Sequence, residues 1–291
     1  MQTQHPFPGH HAARAQPAPP HLQGYSARRH VSAPARLMSC AVLAISLCGC
    51  QQLSPLGTPD TASTAPASAN TATDDILRQP RFADFSATPV SKDARFIANW
   101  VTDSGDNQQM PFVIIDKKNA RVLVFNPAGK LLGASPVLLG AAKGDDSAPG
   151  IGTRPLAEVR PEEKTTPAGR FVGESGRNAS GEDIVWVDYD AAVSMHRVRT
   201  ANPKEHRLAR LASSTAGDNR ISFGCVNMPP AFYENVLSPQ FRNRYGVVYV
   251  LPDVKRISEV FANAYDPAAR LRAAMSMRRA DAASAKNRLR L

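Results

Sequence analysis

The stretch Ile221-Ser222-Phe223-Gly224-Cys225-Val226-Asn227 sets a cysteine directly behind a glycine, between short apolar segments. Without a Cβ at Gly224, backbone can approach a substrate carbonyl, and amides on either side can point at a developing oxyanion. A second element sharpens the interest in this thiol. The other three cysteines, Cys40, Cys48 and Cys50, fall in or at the end of a segment that reads as an export signal. An unpaired cysteine in an exported domain is either a buried small hydrophobe or a working thiolate. The histidines narrow its possible partners. His5, His10, His11, His21 and His30 precede Cys50, which leaves His196 and His206. Two histidines and one cysteine are too few for a structural zinc site, so no metal and no cofactor is expected. The economical use of the set is a thiolate with one imidazole, because a histidine within hydrogen-bond reach takes the thiol proton and raises the reactive fraction. A helix expected to open near Pro230 would also favour a thiolate if its N-terminal dipole were aimed there.

Residues 28–50 have the layout of a signal peptide. Arg28, Arg29 and Arg36 are basic, and Met38 to Cys48 is an apolar run of 11 residues, short of the roughly 20 needed to cross a bilayer as a helix. Leu47-Cys48-Gly49-Cys50 resembles the lipobox of bacterial lipoproteins, which would make Cys50 the lipidated first residue; the alternative is an ordinary cleaved signal. The division expected is therefore 1–49 as signal, 50–75 as lipidation site and tether, 76–254 as the folded domain and 255–291 as a basic, helical tail. Residues 54–75 are dominated by Ser, Thr, Ala and Pro, a composition that does not bury enough surface to fold. As a coil it spans about 25 Å. Gln51 after the anchor points to the outer membrane of a two-membrane organism, and so to a periplasmic location.

Charge follows the same division. Residues 1–49 hold four Arg and no acids, residues 255–291 hold nine Lys or Arg against three acids, and the segment between balances at 22 of each sign. The formal net charge of +10 thus belongs to the two ends, and no nucleic-acid groove is expected in the domain. The basic tail is either a solvated helix or an electrostatic contact with anionic lipid or cell-wall polymer.

The domain reads as mostly β with short helices, an α+β unit. Ser91 is positioned to cap a helix whose Phe96, Ile97, Trp100 and Val101 share one face. Phe112 to Ile115 and Arg121 to Phe125 flank a hairpin turn, Pro127-Ala128-Gly129 leads into a third strand ending near Leu139-Gly140, and strands are expected at Ile184 to Val187, Val193 to His196 and Val247 to Leu251. Asn202-Pro203-Lys204-Glu205 carries the cap, proline and acid of a short helix running through Leu208 and Leu211.

Ser222 to Asn227, preceded by a histidine at a strand end, resembles the signature of the L,D-transpeptidase (YkuD-type) catalytic domains of bacterial cell-wall enzymes. The paired strands from Phe112 to Phe125, the strand ending in Leu139-Gly140 and the run Thr166-Pro167-Ala168-Gly169-Arg170-Phe171 agree with that family in order, over about residues 110–252. The resemblance implies a β-sandwich or barrel-like catalytic domain with Cys225 as nucleophile and His196 as general base. Backbone amides around Gly224 and Cys225 would form the oxyanion hole, and Ser222 and Asn227 would shape the loop and position substrate. It further implies that the substrate is a peptidoglycan stem peptide, and that a membrane anchor at Cys50 holds the enzyme near it. Three departures stand out. Phe223 replaces a second histidine, Arg197 replaces a glycine and could narrow the site or bind a substrate carboxylate, and 25 residues separate His196 from Ser222 where about 15 are usual. His206, closer to the motif, competes as base; His196 is preferred because Ala192 to Met195 reads as a buried strand that would hold the ring rigidly. Two readings remain open: a cysteine transpeptidase, and a peptidoglycan-binding protein in which Arg197 and the longer segment have altered the cleft.

Overall fold

The computed structural model describes residues 78–288. The expected signal segment, Cys50 and the tether lie outside the described residues. The fold is mostly β with a few short helices, as the sequence predicts. In chain order the elements that position the site are α1 (Lys92–Ser104), β1 (Phe112–Asp116), β2 (Arg121–Phe125), β3 (Leu131–Pro136), β4 (Leu139–Gly140), β5 (Gly169–Arg177), β6 (Asp183–Asp188), β7 (Val193–Arg197), α2 (Arg207–Ala212), β8 (Arg220–Ser222), β9 (Val226–Met228), the helical segment α3 (230–241), β10 (Gly246–Val250), α4 (Ile257–Val260) and α5 (Pro267–Arg288).

Eight strands form one mixed sheet in the order β3-β2-β1-β10-β5-β6-β7-β9, and β4 pairs with β8 beside it. The sheet curls until its ends nearly meet. Leu138, just past β3, exchanges backbone hydrogen bonds of 2.8 and 2.9 Å with Asn227 of β9. That contact turns the sheet into a nearly closed barrel and removes an open edge.

β1, β2 and β10 read as continuous apolar runs because both of their faces are covered. Val113, Ile115, Val122, Val124, Val248 and Val250 face the barrel interior with Met195, Val226, Tyr233, Leu237 and Phe241. Phe112, Ile114, Leu123, Phe125, Val247 and Tyr249 alternate to the other face, where α1 lays down Ile97, Ala98, Trp100 and Val101. α1 starts where Ser91 Oγ accepts the Ala94 amide at 3.0 Å. Phe261 is buried in this second core, with Ile257, Val260 and Tyr265 packed beside it, so the packed unit continues past residue 254. Arg270, on α5, pairs with the buried Asp103 at 3.2 Å. Among the described residues, no helix is long and apolar enough to cross a membrane.

The segment from Asn202 departs from the single helix expected. Asn202 does cap a turn, accepting the Lys204 amide at 3.2 Å, but only Pro203–Glu205 winds, as a 3₁₀ turn. His206 then adopts a left-handed conformation (φ 49°) before α2 begins. The break turns the Glu205 carboxylate back onto Arg207. Leu211 is buried with Leu138 and Val198 in a small satellite core, whereas Leu208 is exposed.

A charged network sits under the β4–β5 connection. Lys117, fully buried at the end of β1, uses all three ammonium protons, on Asp145 Oδ1 (2.8 Å), Gly144 O (2.6 Å) and Thr166 O (2.7 Å). Asp145 also accepts the amides of Asp253, Val254 and Lys255. Arg220 of β8 donates to Asp253 at 2.7 Å and to the Lys117 carbonyl at 3.0 Å. Two cations and two carboxylates thus offset one another. Burial pushes the Asp145 carboxyl up, but the Lys117 ammonium and the three amides outweigh it and hold it far below the usual carboxylate range. Because this folded-state pKa is depressed, the stability it contributes is present above the unfolded carboxylate pKa, about 3.9, and is lost as pH falls toward the folded value. Asp145→Asn leaves Lys117 partly uncompensated and should cost about 3–5 kcal/mol in a denaturant titration at neutral pH. The deficit should shrink as pH falls below about 4, where unfolding protonates the wild-type carboxylate; a deficit that does not change with pH would refute the ionic account.

Candidate functional site

The site is assembled by strand register. β7 and β9 run parallel, with Met195, His196 and Arg197 opposite Val226, Asn227 and Met228. On β7, Ser194 and His196 are two residues apart and so share a face. Cys225, immediately before β9, lies beside this face. Its Sγ lies 3.6 Å from Ser194 Oγ and 3.6 Å from Ala192 O, and the His196 imidazole is close enough to lower its pKa. The thiol is partly buried and is the free cysteine of the described residues. Burial alone pushes its pKa up, but His196, reinforced by Ser194, outweighs that and lowers it below the ordinary thiol value. The helix dipole contributes little to this account: β9 intervenes, and α3 opens with only a three-residue turn, Pro230–Phe232.

His196 is held at both ring nitrogens. Nδ1 lies 2.7 Å from the Arg197 carbonyl, which can only accept, so Nδ1 carries the proton. Nε2 lies 3.2 Å from Asn227 Nδ2. Asn227 Oδ1 accepts from Arg207 Nη1 at 2.5 Å. His206 is elsewhere: exposed, at the turn before α2, it makes no described contact with the thiol.

The loop before the thiol is fixed from both sides. Ser222 Oγ donates to Cys225 O at 2.6 Å and accepts the Gly224 amide at 3.1 Å. The Gly224 amide is therefore engaged and does not face an oxyanion as expected; the Cys225 amide is the donor that remains beside the thiol. Gly224 has φ 135°, and a Cβ there would stand 2.7 Å from the Thr165 carbonyl, so the position requires glycine for conformation and for space. Thr166 Oγ1 accepts the Gly140 amide at 2.9 Å and donates to Gly224 O at 2.8 Å, tying β4 to the thiol loop. Farther along the same connection, Gly152 approaches the β6–β7 turn so closely that a Cβ would meet Asp190 O at 2.3 Å. That turn carries Ala192, whose carbonyl faces the thiol.

Arg197 does not enter the site. Successive strand residues face opposite ways, and its guanidinium pairs with Asp183 (2.9 Å) and Glu234 (2.9 Å) over the Tyr233 ring. Its carboxylate-binding capacity is spent on the protein itself, and it holds the Asp183 carboxyl below its usual range. Phe223 is exposed, with the Lys164 ammonium 4.2 Å above its ring. Sequence reasoning missed Ser194 and Arg207. Ser194 was available from the two-residue strand period; Arg207 had no local signal. Among the described residues, no group of three or more His, Cys, Asp or Glu side chains could hold a metal ion.

No protein-family model matches the chain, and no characterised protein matches it by sequence at a significant level. Solved structures similar in fold include an LD transpeptidase in complex with imipenem, 16% identical, with 48% of this chain and 58% of that chain covered at a TM-score of 0.28. An Enterococcus faecium L,D-transpeptidase mutant is 16% identical over 49% of this chain and 50% of that one, at 0.26. The catalytic domain of an E. faecium L,D-transpeptidase is 17% identical over 49% of this chain and 98% of that domain, at 0.24. The chain spans about half the length of the first two. At these values the chemistry has to be read from the site's own geometry.

Thr166 gives that geometry a direct test. Thr166→Val leaves the buried Gly140 amide and Gly224 carbonyl without a partner. It should cost about 1–3 kcal/mol of stability and slow iodoacetamide alkylation of Cys225. Unchanged alkylation in a destabilised variant would show that the thiol loop does not depend on this hydroxyl.

Proposed function

We propose that this protein is a cysteine acyltransferase of the L,D-transpeptidase type, acting on peptidoglycan stem peptides from an exported, lipid-anchored position. The observation that carries the reading is the register of β7 and β9, which sets Cys225, immediately before β9, beside His196, whose imidazole is oriented by the Arg197 carbonyl. A nucleophile, a base and a group that orients the base are the minimum that acyl transfer requires. The substrate class rests on the motif resemblance around Cys225 and Thr166 to Phe171.

In this reading Nε2 of His196 takes the thiol proton as Sγ attacks the carbonyl of the stem's third, diamino-acid residue. The Cys225 amide faces the developing oxyanion. Collapse breaks the C–N bond to the terminal D-alanine, whose nitrogen receives the proton from the imidazolium, and leaves a C–S thioester. An amine, or water, then attacks the thioester, delivers its proton to His196 and releases the thiol. The product is a cross-link or attached protein with an amine acceptor, and a shortened stem with water. The binding-protein reading loses one of its two supports, because Arg197 is paired with Asp183 and Glu234.

Imipenem supplies the test, since its strained ring carbonyl acylates an activated thiolate. Intact-mass analysis of the protein with imipenem should show one adduct in wild type and none in Cys225→Ala. His196→Ala should slow adduct formation by about 10²–10⁴-fold, the usual worth of a general base, while His206→Ala leaves it unchanged. Loss of the adduct only in His206→Ala would move the base, and absence of any wild-type adduct would sink the enzyme reading.

A further inference from the structure

The segment between His196 and Ser222 brings one side chain back to the site. Arg207, at the start of α2, is braced by Glu205 and donates to Asn227 Oδ1 at 2.5 Å. A guanidinium can only donate, so this bond fixes which end of the Asn227 amide is oxygen. The other end, Nδ2, must then face His196 and is 3.2 Å from Nε2. An amide nitrogen is a donor, so Nε2 presents its lone pair to it. Nδ1, 2.7 Å from the Arg197 carbonyl, carries the ring proton. Every link is a donor meeting an acceptor, and the chain runs one way from Arg207 to the Arg197 carbonyl.

We propose that Arg207 is a positioning residue for the base: through Asn227 it keeps Nε2 of His196 unprotonated, while the Arg197 carbonyl holds the proton on Nδ1, so that Nε2 can take the proton of Cys225 once Asn227 Nδ2 gives up its bond. This rests on the reading of Cys225 and His196 as nucleophile and base. The same chain bears on proton transfer to the base: while Asn227 donates to Nε2, a proton arriving at Nε2 has to displace that bond. Asn227 Nδ2 has a second acceptor, the Cys225 carbonyl at 3.4 Å, to which it can turn when Nε2 gains the proton.

The side chain of Asn227 is buried, and water has little access to replace Arg207. Other charged groups near His196 are Glu182, paired with Arg199 at 2.7 Å, and Arg197, paired with Asp183 and Glu234. All are held by partners of opposite sign and are unaltered by the substitutions below.

The full-length chain labelled with ¹⁵N in its histidine rings, with His196 assigned by His196→Gln, reads the tautomer by NMR without any turnover. Wild type should show a protonated Nδ1 and an unprotonated Nε2. Arg207→Met frees the Asn227 amide to flip and offer oxygen to Nε2, so the Nε2 signal should move toward the protonated form, with Nδ1 still protonated on the Arg197 carbonyl. One hydrogen bond exchanged at Nε2 should lower the pH midpoint for iodoacetamide alkylation of Cys225 by about one unit. Arg207→Lys, still a pure donor, should restore both readouts. Asn227→Asp, which offers only acceptors, should give the Nε2-protonated form with Arg207 intact, should Arg207→Met fail to fold. An Nε2-protonated ring in wild type overturns the proposal, as does a folded Arg207→Met with unchanged tautomer and midpoint. If Arg207→Met moves the Nε2 signal as expected but wild type forms no imipenem adduct, the enzyme reading fails, and with it the role in catalysis, while the orienting of the His196 ring by Arg207 stands.

Discussion

A buried ammonium governs the geometry of this molecule. Lys117 sits at the end of β1 with its three protons on Asp145, Gly144 and Thr166, and a cation taken this far from water is tolerated only because each proton has an acceptor and its charge a counter-ion. The thiol loop hangs from it at two points. Thr166, whose carbonyl Lys117 holds, reaches Gly224 with its hydroxyl. Arg220, which bonds the Lys117 carbonyl and Asp253, begins the strand that delivers Ser222. Asp145 clamps the chain leaving β10 through three amides. One charge thus sets the β4–β5 connection, the exit of β10 and the approach to Cys225 in a common frame, which an apolar filler at position 117 would pack without orienting.

Much of this was legible in the sequence, and the limits have identifiable causes. The apolar runs of β1, β2 and β10 and the cap at Ser91 gave their elements because the determinants are local. Cys225 and His196 followed from a short inventory of thiols and imidazoles. Arg197 was misplaced because its neighbour in sequence is His196, although adjacent residues on a strand face opposite sides. The Gly224 amide was assigned to an oxyanion because the preference of the Ser222 hydroxyl for it depends on a turn that only the folded loop supplies. The left-handed His206, the break it makes in the expected helix and the return of Arg207 to Asn227 depend on contacts across 20 residues, which no local pattern encodes.

Asn227 shows how few residues couple closure of the fold to the chemistry. Its backbone completes the barrel by pairing with Leu138, and its side chain lies between Arg207 and His196. The satellite core of Leu138, Val198 and Leu211 joins these two roles. Val198 continues β7 directly past His196, Leu211 is on the helix that carries Arg207, and Leu138 is the residue that pairs with Asn227. The long segment after His196 is therefore no loose excursion. Its apolar side chains hold α2 against the closing contact, so the distance from Arg207 to Asn227 is set by packing. A relay that must fix the orientation of an amide needs such rigidity, because the competing flipped state differs by little more than the exchange of one hydrogen bond, and a helix free to drift by 1 Å would leave both states populated.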